Sequence, residues 1–176
     1  LEAAKTNQQL LAIQLEQAPY GEEEFFDAGF GADDKNATQN ILNVYQGGLS
    51  LGQKEYYLDN DKATADIREA YKKHIVKMFQ LFGFSKSAAT AKMKNIMKVE
   101  TALAKVSKSR TELRDPEANY NKMTLAAFKE RYPNLPLEKM LNARGVESKF
   151  FQEMVVGQPA FLDGANQLVG SMKPSE

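Results

Sequence analysis

The sequence predicts a mainly α-helical fold: a long antiparallel helix pair, several shorter helices, and one small β-hairpin near residues 26–46. Three observations carry this expectation. Residues 62–82 and 86–107 set apolar side chains at helical spacing, separated only by the short link Gly83–Ser85. Residues 25–46 run differently, aromatic at first, then turn-forming, then β-branched. Beyond Ser107, prolines and glycines divide the chain into pieces long enough only for short helices.

Taken in order, residues 1–18 are rich in Ala, Gln and Leu and read as a short helix ended by Pro19. Phe25, Phe26 and Phe30 lead into Asp33-Asp34-Lys35-Asn36, a cluster of turn formers, and then into Ile41-Leu42-Asn43-Val44-Tyr45. Strand, polar turn, strand is the economical reading. Gly47 to Gly52 follows as a loop.

The clearest helix runs from about Lys62 to Phe82. Asp59 and Asp61 are N-cap candidates, and Gly83 stands where a left-handed C-cap residue belongs. Ile67, Tyr71, Ile75, Met78, Phe79 and Phe82 fall on one stripe. A second helix starts after Ser85 and reaches about Ser107, with Met93, Ile96, Met97, Leu103 and Ala104 as its apolar face. Residues 107–121 are polar and irregular, and Pro116 disfavours helical backbone at Asp115. Thr124 can cap a short helix holding Leu125 and Phe128, and Pro136 can open another that ends at Gly145. Met154-Val155-Val156 suits a short strand, and Pro159 opens a last helix with Phe161, Leu162, Ala165 and Leu168. A single unit over residues 1–176 is the default domain count, with the hairpin at 25–46, the helix pair at 62–107 and short helices at 108–170.

Composition removes several chemistries. The chain has one histidine, His74, and no cysteine, so it cannot supply an H-E-x-x-H zinc helix, a Cys/His zinc site or a cysteine nucleophile. Lys+Arg 23 against Asp+Glu 23 leaves no global basic field for a nucleic-acid backbone. The longest uncharged stretch, Asn36 to Gln53 apart from its flanks, is full of Asn, Gln and Gly, so no membrane-spanning segment is expected. The chain begins Leu-Glu-Ala-Ala without an initiator Met, the expectation for an excised piece of a longer product.

Individual candidates are weak. Asp34-x-Asn36-x-Thr38 starts like a calcium loop, but the required glycine is Gln39 and the closing glutamate is Tyr45. Glu22-Glu23-Glu24 reads as solvated charge. Glu100 is the exception, because it lies on the apolar stripe of the second helix and needs a partner there. Arg110 and Arg114 are the nearest cations, which predicts a buried ion pair pinning the irregular segment to the helix.

Three segments together resemble one family. They are Gly31-Ala-Asp33-Asp34-Lys35-Asn36; Gln46-Gly-Gly-Leu49-Ser-Leu51-Gly-x-x-x-Tyr56-Tyr57; and Ser109-Arg110-x-x-Leu113-Arg114-Asp115-Pro116-x-x-x-Tyr120-Asn121-Lys122-Met123-Thr124. In this order, with a long helix pair between the second and third, they look like the N-terminal region of the neprilysin family. That family comprises zinc metalloendopeptidases, including endothelin-converting enzymes and PepO-type bacterial oligopeptidases. The likeness covers about Phe25 to Leu168, and residues 1–24 match less well.

The resemblance implies a two-lobed, mainly helical peptidase with a chamber between its lobes, located in the periplasm, at the cell surface or outside the cell. It implies zinc for the parent and none for this chain, since the family's H-E-x-x-H and E-x-x-x-D helices are absent here. No catalytic, metal or cofactor residue carries over. The matching positions are scaffold ones: Asp34, Asn36, Leu51, Tyr56, Tyr57, Arg114, Asp115, Tyr120 and Asn121. The partners implied are the catalytic C-terminal part of the same parent chain and that enzyme's peptide substrates, with no nucleic acid. The chain is then a non-catalytic N-terminal fragment that helps wall the chamber. The alternative is a free-standing helical interaction module without enzymatic activity.

Overall fold

The computed structural model describes residues 25–172 and, before them, Ile13 alone, which is helical. The remainder of the helix expected over residues 1–18, and the Glu22–Glu24 run, lie outside the described residues.

The hairpin forms where the turn chemistry places it. β1 (Phe26–Asp33) and β2 (Asn36–Gln46) pair antiparallel from Phe26↔Gln46 to Asp33↔Asn36, with an irregularity between Ala32 and Asp33. Asp33 Oδ1 accepts the backbone N–H of Lys35 at 2.9 Å, the Asx turn such a sequence favours. The Asp34-x-Asn36-x-Thr38 series is therefore hairpin, and the Thr38 hydroxyl donates to Asn36 Oδ1 at 2.7 Å.

This hairpin is half of a four-stranded mixed sheet. β3 (Asn121–Thr124) and β4 (Glu153–Val156) complete it in the order β1-β2-β4-β3. β4 runs parallel to β2 through Leu42↔Met154 and antiparallel to β3 through Met123↔Met154. Ile41 to Val44 and Met154 to Val156 are buried without alternation, the pattern of central strands covered on both faces. β3 carries no strand signal in the sequence, because four residues are too few for a period of two to declare itself.

Around the sheet lie six described α-helices: α1 (Glu55–Leu58), α2 (Lys62–Leu81), α3 (Lys86–Val106), α4 (Leu125–Arg131), α5 (Leu137–Ala143) and α6 (Pro159–Ser171). The caps are those the sequence offers. Asp61, Ser85 and Thr124 accept backbone N–H groups from Thr64, Ala88 and Ala127, while Gly83 and Gly145 close helices at φ 93° and 82°. Pro159 opens α6 as expected.

The main core joins the sheet to the C-terminal helices through Phe26, Leu42, Val44, Phe128, Tyr132, Phe151 and Phe161. Each such side chain contributes roughly 1.5–3 kcal/mol on burial. A smaller cluster of Tyr57, Ile75, Met97 and Ala104 joins α1, α2 and α3. The α3 face holds as predicted, but the α2 stripe is only partly covered. Tyr71, Ile75 and Phe79 pack inward, whereas Ile67, Met78 and Phe82 are 41%, 40% and 77% exposed. Periodicity identifies an apolar face; it does not say what lies against it.

Candidate functional site

Two buried polar centres organise the residues singled out by sequence. The first is Glu100, which is 6% exposed near the end of α3. Its Oε1 accepts the hydroxyls of Ser50 at 2.5 Å and Tyr71 at 2.9 Å, and its Oε2 accepts the hydroxyl of Tyr57 at 3.0 Å. Tyr57 in turn accepts the backbone N–H of Leu51 at 2.9 Å. Burial pushes the Tyr71 hydroxyl up to about 12 and the Tyr57 hydroxyl still higher, so both remain neutral donors at ordinary pH.

The ion pair expected between Glu100 and Arg110 or Arg114 is not formed. Both arginines are exposed in the segment after α3, and three hydroxyls take the positions a guanidinium would need. Burial of a carboxylate does demand partners, but hydroxyl groups meet that demand with less desolvation than a second charge. The signal was present in sequence, since Ser50 and Tyr57 flank the Leu51 loop and Tyr71 lies on the α2 stripe. Sequence order alone favoured the nearer arginines.

The second centre was missed. Gln158 is 3% exposed, and its Oε1 accepts the backbone N–H of Gln46 at 2.8 Å while its Nε2 donates to Asn119 Oδ1 at 3.0 Å. Gln46 makes a two-way contact with the backbone of Lys108, accepting at 2.7 Å and donating at 3.0 Å. Asn119 Nδ2 donates to the carbonyls of Glu112 and Asp115, so three amides lock the 108–120 segment to β2 and β4. Ser109 and Glu112 also cap each other, with Glu112 Oε2 accepting from Ser109 N and Oγ at 2.7 and 2.6 Å. That Ser-x-x-Glu spacing is a capping-box signature legible in the sequence.

The scaffold positions separate around these centres. Leu51, Tyr56 and Tyr57 belong to the Glu100 cluster, where Tyr56 O accepts from Arg68 at 3.0 Å. Tyr120 donates to the buried Asp33 at 2.8 Å; the Lys35 N–H first, and then this hydroxyl, hold the Asp33 carboxyl below its usual value. Asn121 Nδ2 donates to Val156 O at 3.0 Å, fastening β3 to β4. Arg114 ends a 3₁₀ turn, and Asp115 Oδ1 accepts Ala118 N at 3.0 Å. Asp34 and Asn36 are exposed at the hairpin turn, and His74 is exposed on α2.

These arrangements can hold backbone in place; they do not present a nucleophile beside a base. Nor do the donors suit zinc. The chain offers one His and no Cys, and no group of three or more His, Cys, Asp or Glu converges on a metal position among the described residues.

All 176 residues match the family described as peptidase family M13. The chain belongs to that family. The resemblance drawn from the three segments is thereby borne out, and M13 relatives align over most of this chain. Endothelin-converting enzyme 1 of Cavia porcellus is 30% identical over 162 residues, covering 90% of this chain and 21% of that enzyme. The Homo sapiens enzyme is 29% identical over the same extent. Among solved structures, Mycobacterium tuberculosis zinc metalloprotease Zmp1 in complex with an inhibitor superposes with a TM-score of 0.88 at 25% identity, over 98% of this chain and 26% of that one. PepO from Lactobacillus rhamnosis HN001 shares the fold, with a TM-score of 0.75 at 18% identity over 99% of this chain and 27% of that one. This M13 chain thus spans about a fifth of the length of the curated relatives it matches.

Proposed function

We propose that this chain is a non-catalytic N-terminal unit of a neprilysin-like zinc metalloendopeptidase, helping to wall the chamber in which the parent enzyme hydrolyses peptides. The observation that carries the reading is the M13 match over residues 1–176, set beside a sequence that holds neither H-E-x-x-H nor a second histidine. Zinc and the reacting groups then belong to the catalytic C-terminal part, which is the principal partner of these residues. The parent acts in the periplasm, at the cell surface or outside the cell. No described helix is long and apolar enough to cross a membrane.

The unit's internal design suits a wall. Glu100 and the three amides Gln46, Asn119 and Gln158 are spent on holding loops, which favours rigidity over reactivity. We also read α2 and α3 as an antiparallel pair. Two contacts support this: the Tyr71 hydroxyl reaches Glu100, and Lys92 lies 5.7 Å from the Phe79 ring centre. A step from Tyr71 forward to Phe79 therefore corresponds to a step from Glu100 back to Lys92.

The test reads the parent gene beyond the codon for Glu176 and compares the two products. A reading frame that continues into H-E-x-x-H is expected, with peptide hydrolysis by the complete protein and none by residues 1–176. Calorimetric titration of the short chain with zinc should show no tight single site. A reading frame ending near Glu176, or stoichiometric zinc with hydrolysis by the short chain, overturns the reading.

A further inference from the structure

The basic and acidic residues balance over the whole chain at 23 each, but they are not evenly spread. From Ala70 to Val99 the sequence carries seven lysines and no Asp or Glu. This stretch is the second half of α2, the link, and most of α3. Lys77, Lys86 and Lys94 make no ion pair with any described residue, so their charge is left to solvent or to a partner, whereas Lys72 pairs with Glu69 at 2.7 Å and Lys73 also acts on that carboxylate. Lys86 and Lys94, with Ser87, Thr90 and Ala91 between them, line one open face of α3.

At the tip of this basic region stand the two most exposed large apolar side chains among the described residues, Leu81 at 72% and Phe82 at 77%, with Met78 beside them at 40%. Gly83, at φ 93°, turns the chain immediately after them and leaves both projecting. The next aromatic, Phe84, folds back instead: its ring meets Phe79 edge-on at 5.6 Å and lies 4.7 Å from Lys92 Nζ. The tip is therefore braced from within while its outer residues face water.

We propose that this tip docks on an anionic lipid surface, with Leu81 and Phe82 entering the headgroup region and Lys77, Lys86 and Lys94 meeting lipid phosphates. Charge complementarity selects the occupant. A protein partner of ordinary composition offers both signs of charge, whereas Lys77, Lys86 and Lys94, without an ion pair among the described residues, together with two projecting apolar side chains suit a uniformly negative, apolar-cored interface. The helices lie against the surface by their tip and do not span it, in agreement with their hydropathy. This surface is separate from the Glu100 and Gln158 centres and does not depend on the chamber-wall reading.

The experiment is co-sedimentation of the full-length protein with vesicles of phosphatidylcholine and phosphatidylglycerol, against vesicles of phosphatidylcholine alone. Binding to the anionic vesicles, reversed by salt, is expected. Leu81→Ser/Phe82→Ser should abolish most of it, and each of Lys77→Gln, Lys86→Gln and Lys94→Gln should weaken it about fivefold. All these side chains are exposed, and unchanged circular dichroism confirms that each variant folds. Absence of binding, equal binding to both vesicle types, or full retention by the Leu81/Phe82 or the lysine variants overturns the proposal. A chain that ignores vesicles but is held by polyglutamate resin reassigns the lysines to an acidic protein partner, and overturns it equally.

Discussion

The hydroxyl of Tyr57 donates to Glu100 at 3.0 Å, joining a four-residue helix to the end of a long one across 43 positions of sequence. Through the same hydroxyl the Leu51 N–H is fixed at 2.9 Å, so one buried carboxylate sets the path of the 47–54 loop.

Glu100→Gln should destabilise the chain by roughly 1–3 kcal/mol, because a glutamine turns a donor toward hydroxyls already arranged to donate. Combined with Tyr57→Phe, the loss should be less than the sum, with a coupling of about 0.5–3 kcal/mol. Urea unfolding of the two single variants and the double variant checks it. Strict additivity would show that the contact carries no energy.

Alkaline stability follows from the two tyrosines. In the unfolded chain a phenol ionises near its usual 10.0, while Tyr71 in the fold does so only near 12 and Tyr57 higher still. The unfolded state therefore loses protons first as pH rises. The stabilisation is fully present below about pH 10 and is lost between there and about 12. Phenolate absorbance followed alongside denaturant unfolding measures this, and Tyr57→Phe/Tyr71→Phe should flatten the decline.

Gln158→Leu keeps the volume but removes the amide that accepts from Gln46 N–H and donates to Asn119. A cost of about 1–3 kcal/mol is expected, since the partners lose bonds at a buried site. Hydrogen exchange should show the Gln46 amide opening faster. An unaltered exchange rate there would contradict the role given to Gln158.

Gly164 of α6 lies close against Val106 at the end of α3. A Cβ there would lie 2.8 Å from both γ-methyls of Val106. Alanine favours a helix over glycine by up to about 1 kcal/mol, but overpacking against a stiff β-branched side chain costs roughly 1–3 kcal/mol. Gly164→Ala should therefore lower the melting temperature, and Gly164→Ala/Val106→Ala should recover part of the loss.

What the sequence by itself determined is local. Turn formers at Asp33 to Asn36, caps at Asp61, Ser85 and Thr124, glycines at 83 and 145 and prolines at 136 and 159 each act within a few residues, and the hairpin and helices they bound begin or end where they say. The family was legible too, because three spaced segments retain their side chains in order. The tertiary structure decided the rest. β2 meets β4 across more than a hundred positions, Gln46 reaches Gln158 across 112, and Glu100 takes Ser50 across 50 in preference to the arginines just beyond its own helix. Periodicity records which side chains avoid water but not which partner excludes it, so Phe82 and Ile75 share a stripe while one lies bare and the other buried. The single histidine and the absence of cysteine remain facts of the sequence, independent of how the chain packs.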